Sequence, residues 1–345
     1  MEHIISYTEA ICEATEQEMI RDPRVILLGQ GVTYDRGLLG TTKGLVNKFG
    51  FKRVFDTPLS EDGMTGISIG AALAGLRPIH THVRMDFLTL AMNQLINIAA
   101  KARYMYGGKV MVPLVVRTLI GDGWGAQHSQ GLHSLFANIP GLKIVAPSTP
   151  YDAKGTLIAA IRDNNPVIFV EHFKLYTEKE HVPKEPYTVP FGKAVIRKKG
   201  SDVTLVGISY MNVECLNAAR YLEKIKVSAE VIDPVSLAPL DIDTIVKSVK
   251  KTGKLIVADA AWTSCGVSAE IVARVAEYFG ARKHIPVKRI GFAPVPSPNT
   301  PSLEKYFYPS AEDIARVALK MTRGKTAEMS FVTKKQTESG MTEKV

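Results

Sequence analysis

One carboxylate lies where a strand gives way to a helix. Glu61 follows a strand predicted over residues 52–56 and a turn led by Pro58, and it precedes a segment rich in glycine and alanine. A carboxylate at such a turn can be held in an apolar cleft, where loss of water favours its protonated form. That form can share a proton with a neutral ring nitrogen of a bound cofactor. The alternative is that Glu61 only caps the following helix and responds to its dipole.

Histidines provide the next candidates. His128 follows a glycine-rich loop that contains Trp124, so its imidazole is free to face a cleft and to titrate near neutral pH. The alternative is a loop histidine whose ring is satisfied by the backbone. His80 and His82 alternate along one predicted strand and therefore point to the same side. Two metal ligands without a third are weak evidence for a metal site, and we expect ordinary polar packing.

Two glycine motifs do not complete a binding site. Gly29-Gln30-Gly31 follows a strand but lacks the third glycine of a dinucleotide fingerprint. Gly121-Asp122-Gly123 and Asn164-Asn165 have the composition of a metal–diphosphate motif, but 40 residues separate them. The asparagine pair also ends a predicted helix just before Pro166. We therefore predict neither a dinucleotide site nor a metal–diphosphate site of this kind in the chain.

Composition restricts the class of protein. The chain has 345 residues, of which 46% are hydrophobic and 22% charged, as in globular proteins of two domains. The formal net charge is +9, but lysine and arginine are scattered in short clusters. Scattered charge is typical of a solvated surface or of a surface that meets an acidic protein partner, and it argues against nucleic-acid binding.

Cysteine usage and hydropathy bear on the compartment. Cys12, Cys215 and Cys265 show neither metal spacing nor a paired framework, which is typical of a reducing compartment. No apolar run reaches the roughly 20 residues that a membrane helix needs. The N-terminus shows no charged leader with an apolar core, and we see no transit peptide. These patterns predict a cytoplasmic protein without a membrane span.

Apolar strands alternate with helices along the chain, which predicts an α/β fold with two doubly wound domains. Strands are predicted over 25–28, 52–56, 77–83, 110–116, 142–146, 166–171, 204–208, 229–232, 255–258 and 287–291. Helices are predicted over 5–21, 88–106, 153–163, 211–226, 242–251, 268–279 and 311–321, and a further helix starts after Glu61 and is completed over 67–76. We predict a first domain over 1–182, a proline-rich linker over 183–192, a second domain over 193–322 and a disordered tail over 323–345.

Several motifs occur together in a recognisable order. They are residues 55–61, 70–78, 127–130, 160–167, 269–271, 294–298 and the pair Leu303-Glu304. Their order and spacing resemble the β subunit of the E1 component of 2-oxo acid dehydrogenase complexes, of the pyruvate, branched-chain and acetoin type. This family belongs to the transketolase-like superfamily, and the resemblance covers about residues 4–321.

The resemblance implies a division of labour between two kinds of subunit. The β subunit provides a pyrimidine-binding, transketolase-like domain and a smaller transketolase C-terminal domain. An α subunit holds the diphosphate and Mg²⁺, and thiamine diphosphate binds between the subunits of an α2β2 heterotetramer. The reaction is the oxidative decarboxylation of a 2-oxo acid with acyl transfer, and a lipoyl acyltransferase, E2, is a further expected partner. The absence of a diphosphate motif here agrees with this arrangement.

The resemblance also implies roles for particular residues. Glu61 matches the glutamate that bonds N1′ of the cofactor's pyrimidine, with Leu59 in the same pocket. Phe87 matches an aromatic side chain that packs on the pyrimidine. His128 matches a histidine that faces the site and assists acyl transfer to lipoamide. A monovalent cation, expected to be K⁺, is bound largely by backbone carbonyls at Leu114, Ala160, Asp163 and Asn165.

The chain departs from the family pattern on the segment that leads into the pocket. Thr81 stands where an acidic residue is usual, and Leu90 stands where glutamine or proline is frequent. These departures leave the substrate and the acyl acceptor open. One alternative is a specialised transketolase-type acyltransferase that acts on sugars or aldehydes outside a lipoyl complex. Another is a non-catalytic assembly subunit that docks through the region 295–298 and through the small-residue stripe formed by Gly66, Gly70 and Ala74.

Overall fold

The structure is a computed structural model that describes residues 3–324. Its strands are β1 (Ile4–Ser6), β2 (Val25–Gly29), β3 (Val54–Asp56), β4 (Arg77–His82), β5 (Val115–Ile120), β6 (Lys143–Val145), β7 (Val167–His172), β8 (Lys179–His181), β9 (Val195–Lys198), β10 (Val203–Gly207), β11 (Ala229–Asp233), β12 (Ser236–Ala238), β13 (Leu255–Trp262) and β14 (Val287–Phe292).

Helices cover the sheets. They are α1 (Tyr7–Arg21), α2 (Leu45–Phe49), α3 (Glu61–Leu73), α4 (Met85–Leu88), α5 (Ala100–Met105), α6 (Ser134–Ala137), α7 (Pro150–Arg162), α8 (Met211–Lys224), α9 (Ile242–Thr252), α10 (Val267–Phe279), α11 (Pro301–Phe307) and α12 (Ala311–Arg323). The tail that we predicted to be disordered lies outside the described residues, except for Arg323, which ends α12, and Gly324.

The first sheet has seven strands in the order β12-β6-β7-β5-β4-β2-β3. Six of them run parallel, and β2, β5 and β7 are mostly apolar and are buried along their whole length. Burial on both faces is the reason that these strands lack the alternation of an exposed sheet. The edge strand β12 runs antiparallel to β6 and comes from the second half of the chain. The two halves therefore share this sheet.

The second sheet has five strands in the order β14-β13-β10-β11-β9. β14, β13, β10 and β11 are parallel, whereas the edge strand β9 is antiparallel to β11. A small antiparallel ribbon joins β1 to β8. Helices on both faces and parallel central strands confirm the doubly wound α/β fold that the sequence predicted.

Several elements differ from their predicted bounds. Helix α3 begins at Glu61, where the sequence placed the start of a helix, but it ends at Leu73 instead of residue 76. β5 begins at Val115 because Pro113 has no N–H to give to a neighbouring strand. The single helix predicted over 88–106 is instead α4, a 3₁₀ turn (Thr89–Ala91), a π-helix (Gln94–Ala99) and α5 in succession. Neither proline nor glycine interrupts that segment, so no residue in it indicates these changes.

A buried ion pair lies inside the first sheet. Arg117 on β5 donates two hydrogen bonds to Glu171 on β7, at 2.7 and 3.0 Å, and both side chains are withdrawn from water. The hydroxyl of Tyr176 donates a third hydrogen bond to Glu171 at 2.7 Å. Removing one charge of such a pair leaves the other uncompensated in a medium of low polarity.

We therefore expect Glu171→Gln to lower the free energy of unfolding by about 3 kcal/mol, because the Arg117 charge loses its partner. Denaturation of the purified chain with urea measures this loss. The control is Glu16→Gln, which breaks the more exposed pair with Lys48 and should cost less than about 1 kcal/mol. Equal losses for the two variants would contradict the role of burial.

Candidate active site

Glu61 is the first residue of α3, directly after the turn that follows β3. Ser60 precedes the helix, but its side chain makes no capping hydrogen bond. Glu61 and Asp62 occupy the first turn, where the helix dipole stabilises negative charge. The side chain of Glu61 is half-exposed. The withdrawal from water that the sequence led us to expect is therefore not provided by this chain alone.

Glu61 lines a cleft at the carboxyl ends of β2 and β4. Ligands of doubly wound sheets bind at this edge, outside the carboxyl ends of the strands. The cleft combines polar with apolar side chains and is formed by Gln30, Thr57, Pro58, Ser60, Glu61, Met64, His80, Thr81, His82 and Val83. The apolar cleft expected from the sequence is thus a mixed one.

Two buried polar atoms of the cleft are left without a partner. His80 and Thr81 are only 3% and 4% exposed. Within residues 3–324, neither Nδ1 of His80 nor Oγ1 of Thr81 makes a hydrogen bond. An unpaired buried polar group is costly and uncommon, so each of these atoms has hydrogen-bonding capacity that the chain itself does not satisfy. Sequence reasoning noted both residues but not their unpaired atoms, which depend on three-dimensional packing.

The histidine pair packs as two neutral rings. The ring centroids of His80 and His82 are 4.2 Å apart with a tilt of 51°. Nε2 of His82 lies 3.1 Å from Oγ1 of Thr65. Burial lowers the pKa of His80 to about 4, and burial together with the neighbouring His80 lowers that of His82 well below its ordinary value. Among residues 3–324, no cluster of three or more histidine, cysteine or acidic side chains could hold a metal ion.

Phe87 and His128 lie side by side. Phe87 belongs to α4, and His128 lies in the loop between β5 and α6. Their rings meet edge to face, with centroids 5.4 Å apart and an angle of 84°. Leu59 lies in the turn before α3 and is 81% exposed. In the part of the chain that the structure describes, no hydrogen bond or ring contact joins Glu61 to His128.

The loop that carries His128, residues 121–130, is bound to the start of α4 by polar groups that sequence reasoning missed. Asp86 accepts hydrogen bonds from the backbone N–H of Gln130 at 3.3 Å and from its side-chain amide at 2.8 Å. The N–H of Trp124 donates to Oγ of Ser129 at 2.9 Å. The guanidinium of Arg84 lies 4.2 Å from the Trp124 ring. Arg84 and Asp86 flank Met85 just before Phe87. Their position next to Phe87 is the feature of the sequence that could have pointed to their role.

Of the four residues predicted to hold a monovalent cation, Ala160, Asp163 and Asn165 are hydrogen-bonded to one another at the C-terminal end of α7, whereas Leu114 bonds to Val167 at the start of β7. The carbonyl of Leu114 accepts from Val167 N–H at 2.9 Å, and that of Ala160 accepts from Asp163 N–H at 3.2 Å. The carboxylate of Asp163 accepts from Asn165 N–H at 2.8 Å and from its side-chain amide at 2.9 Å.

Positive side chains already surround this cluster. The carboxylate of Asp163 forms an ion pair with Lys143. Although burial raises the pKa of Asp163, hydrogen bonds from Lys143 and Asn165 hold it below the ordinary value. Arg77 donates to the carbonyl of Arg162 at 2.9 Å. The helix C-terminus and its carbonyls suit a cation, but these neighbours limit the positive charge that the cluster can accept.

The small-residue stripe of α3 does not pack against the sheet. A side chain added at Gly70 would meet open space, and Ala74 is exposed. Gly66 alone approaches another element, at 3.6 Å from the Gln94 side chain. Ile67, beside the stripe, is 58% exposed. Gly70 and Ala74 are therefore not packed against the sheet, and they form part of an exposed apolar surface.

Comparison with known proteins identifies two domains, which correspond to the two sheets. The transketolase pyrimidine-binding domain matches residues 3–179, and the transketolase C-terminal domain matches residues 192–314. A solved split-gene transketolase, described as an inactive β4 tetramer, has the same fold, with a TM-score of 0.75 and 22% identity over 94% of this chain and 99% of that one. The chain is thus a two-domain protein of the transketolase class.

Relatives of higher identity define the family. The β subunit of acetoin:2,6-dichlorophenolindophenol oxidoreductase is 46% identical in Cupriavidus necator and 44% in Bacillus subtilis, each over 93% of this chain and 98% of the relative. The β subunit of the pyruvate dehydrogenase E1 component of Porphyra purpurea is 44% identical over 86% of this chain and 90% of the relative. The chain belongs to the family of E1 β subunits of 2-oxo acid dehydrogenases. The alternatives of a sugar-specific acyltransferase and a non-catalytic subunit are not favoured.

No helix within residues 3–324 has the length and apolar character that crossing a membrane requires.

Because His80 is buried, the stability of the folded chain depends on pH, and this dependence tests the packing of the cleft. The unfolded chain takes up a proton on this ring near the ordinary pKa of 6.5, whereas the folded chain does so only near 4. Stability is therefore lost as the pH falls from 6.5 to 4, by about 3 kcal/mol for this group alone. We expect His80→Gln to reduce this loss of stability by about 3 kcal/mol. Urea denaturation between pH 7 and 4 measures the unfolding free energy of both chains. His181→Gln, at an exposed histidine, is the control, and parallel curves for wild type and His80→Gln would contradict the prediction.

Proposed function

We propose that this chain is the β subunit of a thiamine-diphosphate-dependent E1 enzyme and forms half of the cofactor site. An α-type subunit with the diphosphate and Mg²⁺ ligands forms the other half, in an α2β2 heterotetramer. The observation that carries the proposal is the cleft at Glu61, in a chain 46% identical to an E1-type β subunit. The exposed stripe of α3 supports a second subunit at the same helix.

The side chains of the cleft suit the aminopyrimidine of the cofactor. That heterocycle presents ring nitrogens and an amino group, which need both acceptors and donors. Glu61 supplies a carboxyl group to the cleft, and His80 and Thr81 are further lining residues with a polar atom that has no partner within residues 3–324. Phe87, which is half-buried, provides an aromatic edge or face for packing, with Leu59 at the rim.

The chain's own residues hold and move protons around this group. When bound, thiamine diphosphate supplies a carbon nucleophile and an electron sink for cleavage next to a carbonyl. Glu61 holds a proton at its carboxyl oxygen and exchanges it with the pyrimidine nitrogen. Coverage of Glu61 by the α-type subunit excludes water and favours the protonated carboxyl group. His128, steadied by the Phe87 ring, serves as the acid–base group on the substrate side.

We propose a small 2-oxo acid as substrate, with pyruvate as the first choice and acetoin as the compound to compare. The relatives named for acetoin and for pyruvate have similar identity to this chain, at 46% and 44%. Thr81 brings a neutral hydroxyl to the cleft, so the cleft is less negative than the family pattern implies. A lipoyl acyltransferase, E2, is the proposed acyl acceptor in a complete complex.

The role of Glu61 is tested in the enzyme assembled with its α-type subunit. We expect Glu61→Gln to keep the assembly but to lower turnover by about 10²–10⁴-fold, because the amide cannot exchange the proton. Reduction of dichlorophenolindophenol with pyruvate or acetoin measures turnover, and gel filtration measures assembly.

The control for this variant is Asp62→Asn, which removes the neighbouring acid of the same helical turn. It should retain near wild-type turnover. Undiminished activity of Glu61→Gln would refute the proposed role, and thiamine-dependent turnover by the β chain alone would refute the shared site.

We further propose that K⁺ binds at the carbonyls of Leu114 and Ala160 with Asp163 and Asn165. The support is the cluster at the end of α7 and the preference of such oxygens for hard cations. We expect K⁺ to stabilise the folded chain by about 2.7 kcal/mol when it is about 100-fold above its dissociation constant. Unfolding in KCl and in tetramethylammonium chloride of equal ionic strength measures the difference.

Asp163→Ala should abolish this difference, whereas Asp243→Ala, at an exposed acid of α9, should retain it. Identical stability of the wild-type chain in the two salts would show that K⁺ does not bind there.

A further inference from the structure

The second half of the chain holds the loop that carries His128. The hydroxyl of Tyr308, which directly follows α11, accepts a hydrogen bond from the N–H of Gly123 at 3.0 Å. The same hydroxyl lies 2.9 Å from Oγ of Ser297. A hydroxyl can accept from one group and donate to another, so it can satisfy both contacts at once. This contact joins residues that are 185 positions apart in the sequence.

An ion pair reinforces the contact at the neighbouring residue. Nζ of Lys174 lies 3.1 Å from a carboxylate oxygen of Asp122. The same ammonium group lies 5.3 Å from the centre of the Tyr308 ring and 5.2 Å from that of Tyr210. Cations are attracted to aromatic faces at these distances. Lys174 therefore links the start of the loop to the aromatic residues of the second half.

The backbone conformation of the loop favours glycine at two positions where the loop lies against the second half. At Gly123, with φ +70°, an added Cβ would lie 3.1 Å from a carboxylate oxygen of Glu304 on α11. At Gly125, with φ +83°, it would lie 3.5 Å from the side chain of Asn299. Other residues rarely adopt such φ values, and these two glycines allow the loop to follow the surface of the second half.

Short connections transmit this position to His128. The N–H of His128 donates to the carbonyl of Gly125 at 3.3 Å. Gly125 follows Gly123, the residue that contacts Tyr308, by two positions. A Cβ at Gly121 would lie only 2.0 Å from the carbonyl oxygen of His128. The loop is therefore folded back on itself, and a shift at Gly123 must move the backbone of His128.

We propose that Tyr308 is a positioning residue for His128: its hydroxyl fixes the loop at Gly123 and so keeps the imidazole in its place beside Phe87. The proposal rests on the proposed function for its catalytic consequence, but the fixing of the loop does not. The aromatic ring of Tyr308 has a separate structural task, since it packs against Phe292 at 5.3 Å and Phe307 at 4.8 Å. Tyr308→Phe preserves this packing and removes only the hydroxyl.

The first experiment measures the loop in the full β chain. The chain has two tryptophans, and Trp262→Phe leaves Trp124, inside the loop, as the only one. In that background we expect Tyr308→Phe to raise the acrylamide quenching constant of Trp124. The control is Tyr306→Phe, at a ring on α11 that is 74% exposed, and it should leave quenching unchanged. Unchanged quenching in Tyr308→Phe would overturn the proposal.

The second experiment measures catalysis in the assembled enzyme. We expect Tyr308→Phe to lower kcat for acyl transfer to lipoamide by about 10-fold, because small displacements of a catalytic group are costly. KM for the 2-oxo acid and the dissociation constant of thiamine diphosphate should not change. In a His128→Gln background the same substitution should have no further effect, because Tyr308 acts through that imidazole.

The outcomes separate the two proposals. An additive loss in the double variant, or full lipoamide activity of Tyr308→Phe despite increased quenching, would overturn the positioning role. Absence of activity in the wild-type assembly with every 2-oxo acid would instead reject the proposed function, and the quenching result for the loop would still stand.

Discussion

Parallel strand pairing at one edge of the first sheet is the constraint on which the candidate site depends. β2 and β4 are in register so that Gly29 stands opposite Thr81. A Cβ at Gly29 would lie 2.5 Å from the carbonyl oxygen of Thr81, so the strands approach too closely there for any side chain. Because parallel strands all end at the same edge, the turn with Glu61, the histidine strand and the loop with His128 come together.

Contacts with the second half of the chain stabilise the same edge of the first sheet. β12 joins that sheet from the second half, and Arg197 on β9 bridges Asp152 on α7 and Asp233 on β11. His133, just after the loop, lies 3.0 Å from Asp259 on β13, with both side chains fully buried. The two halves are therefore in direct contact and are not only consecutive along the chain. It is packed against the loop and can hold the loop in a definite position.

The features that could be predicted from the sequence are those that local patterns encode. The alternation of apolar strands and helices predicted the fold class, and the turn before Glu61 identified the helix start as a site for a carboxylate. The contact between Tyr308 and Gly123 spans 185 residues, and no local pattern records such a pairing. The unpaired atoms of His80 and Thr81 were equally hidden, since a partner's absence depends on everything that packs around a group. The π-helix over Gln94–Ala99 breaks a periodicity that looked continuous.

Helix α3 connects the chemistry to assembly. Glu61 lies at its N-terminus, and the exposed part of the stripe, Gly70 and Ala74, lies at its C-terminal end beside the exposed Leu73. A subunit that covers the stripe is brought close to Glu61, because the helix of 13 residues spans only about 20 Å. Covering the stripe removes apolar surface from water, which favours association, whereas covering a carboxylate without a partner is costly. A proton shared with a heterocycle relieves that cost, so in the proposed enzyme cofactor binding and subunit association stabilise each other.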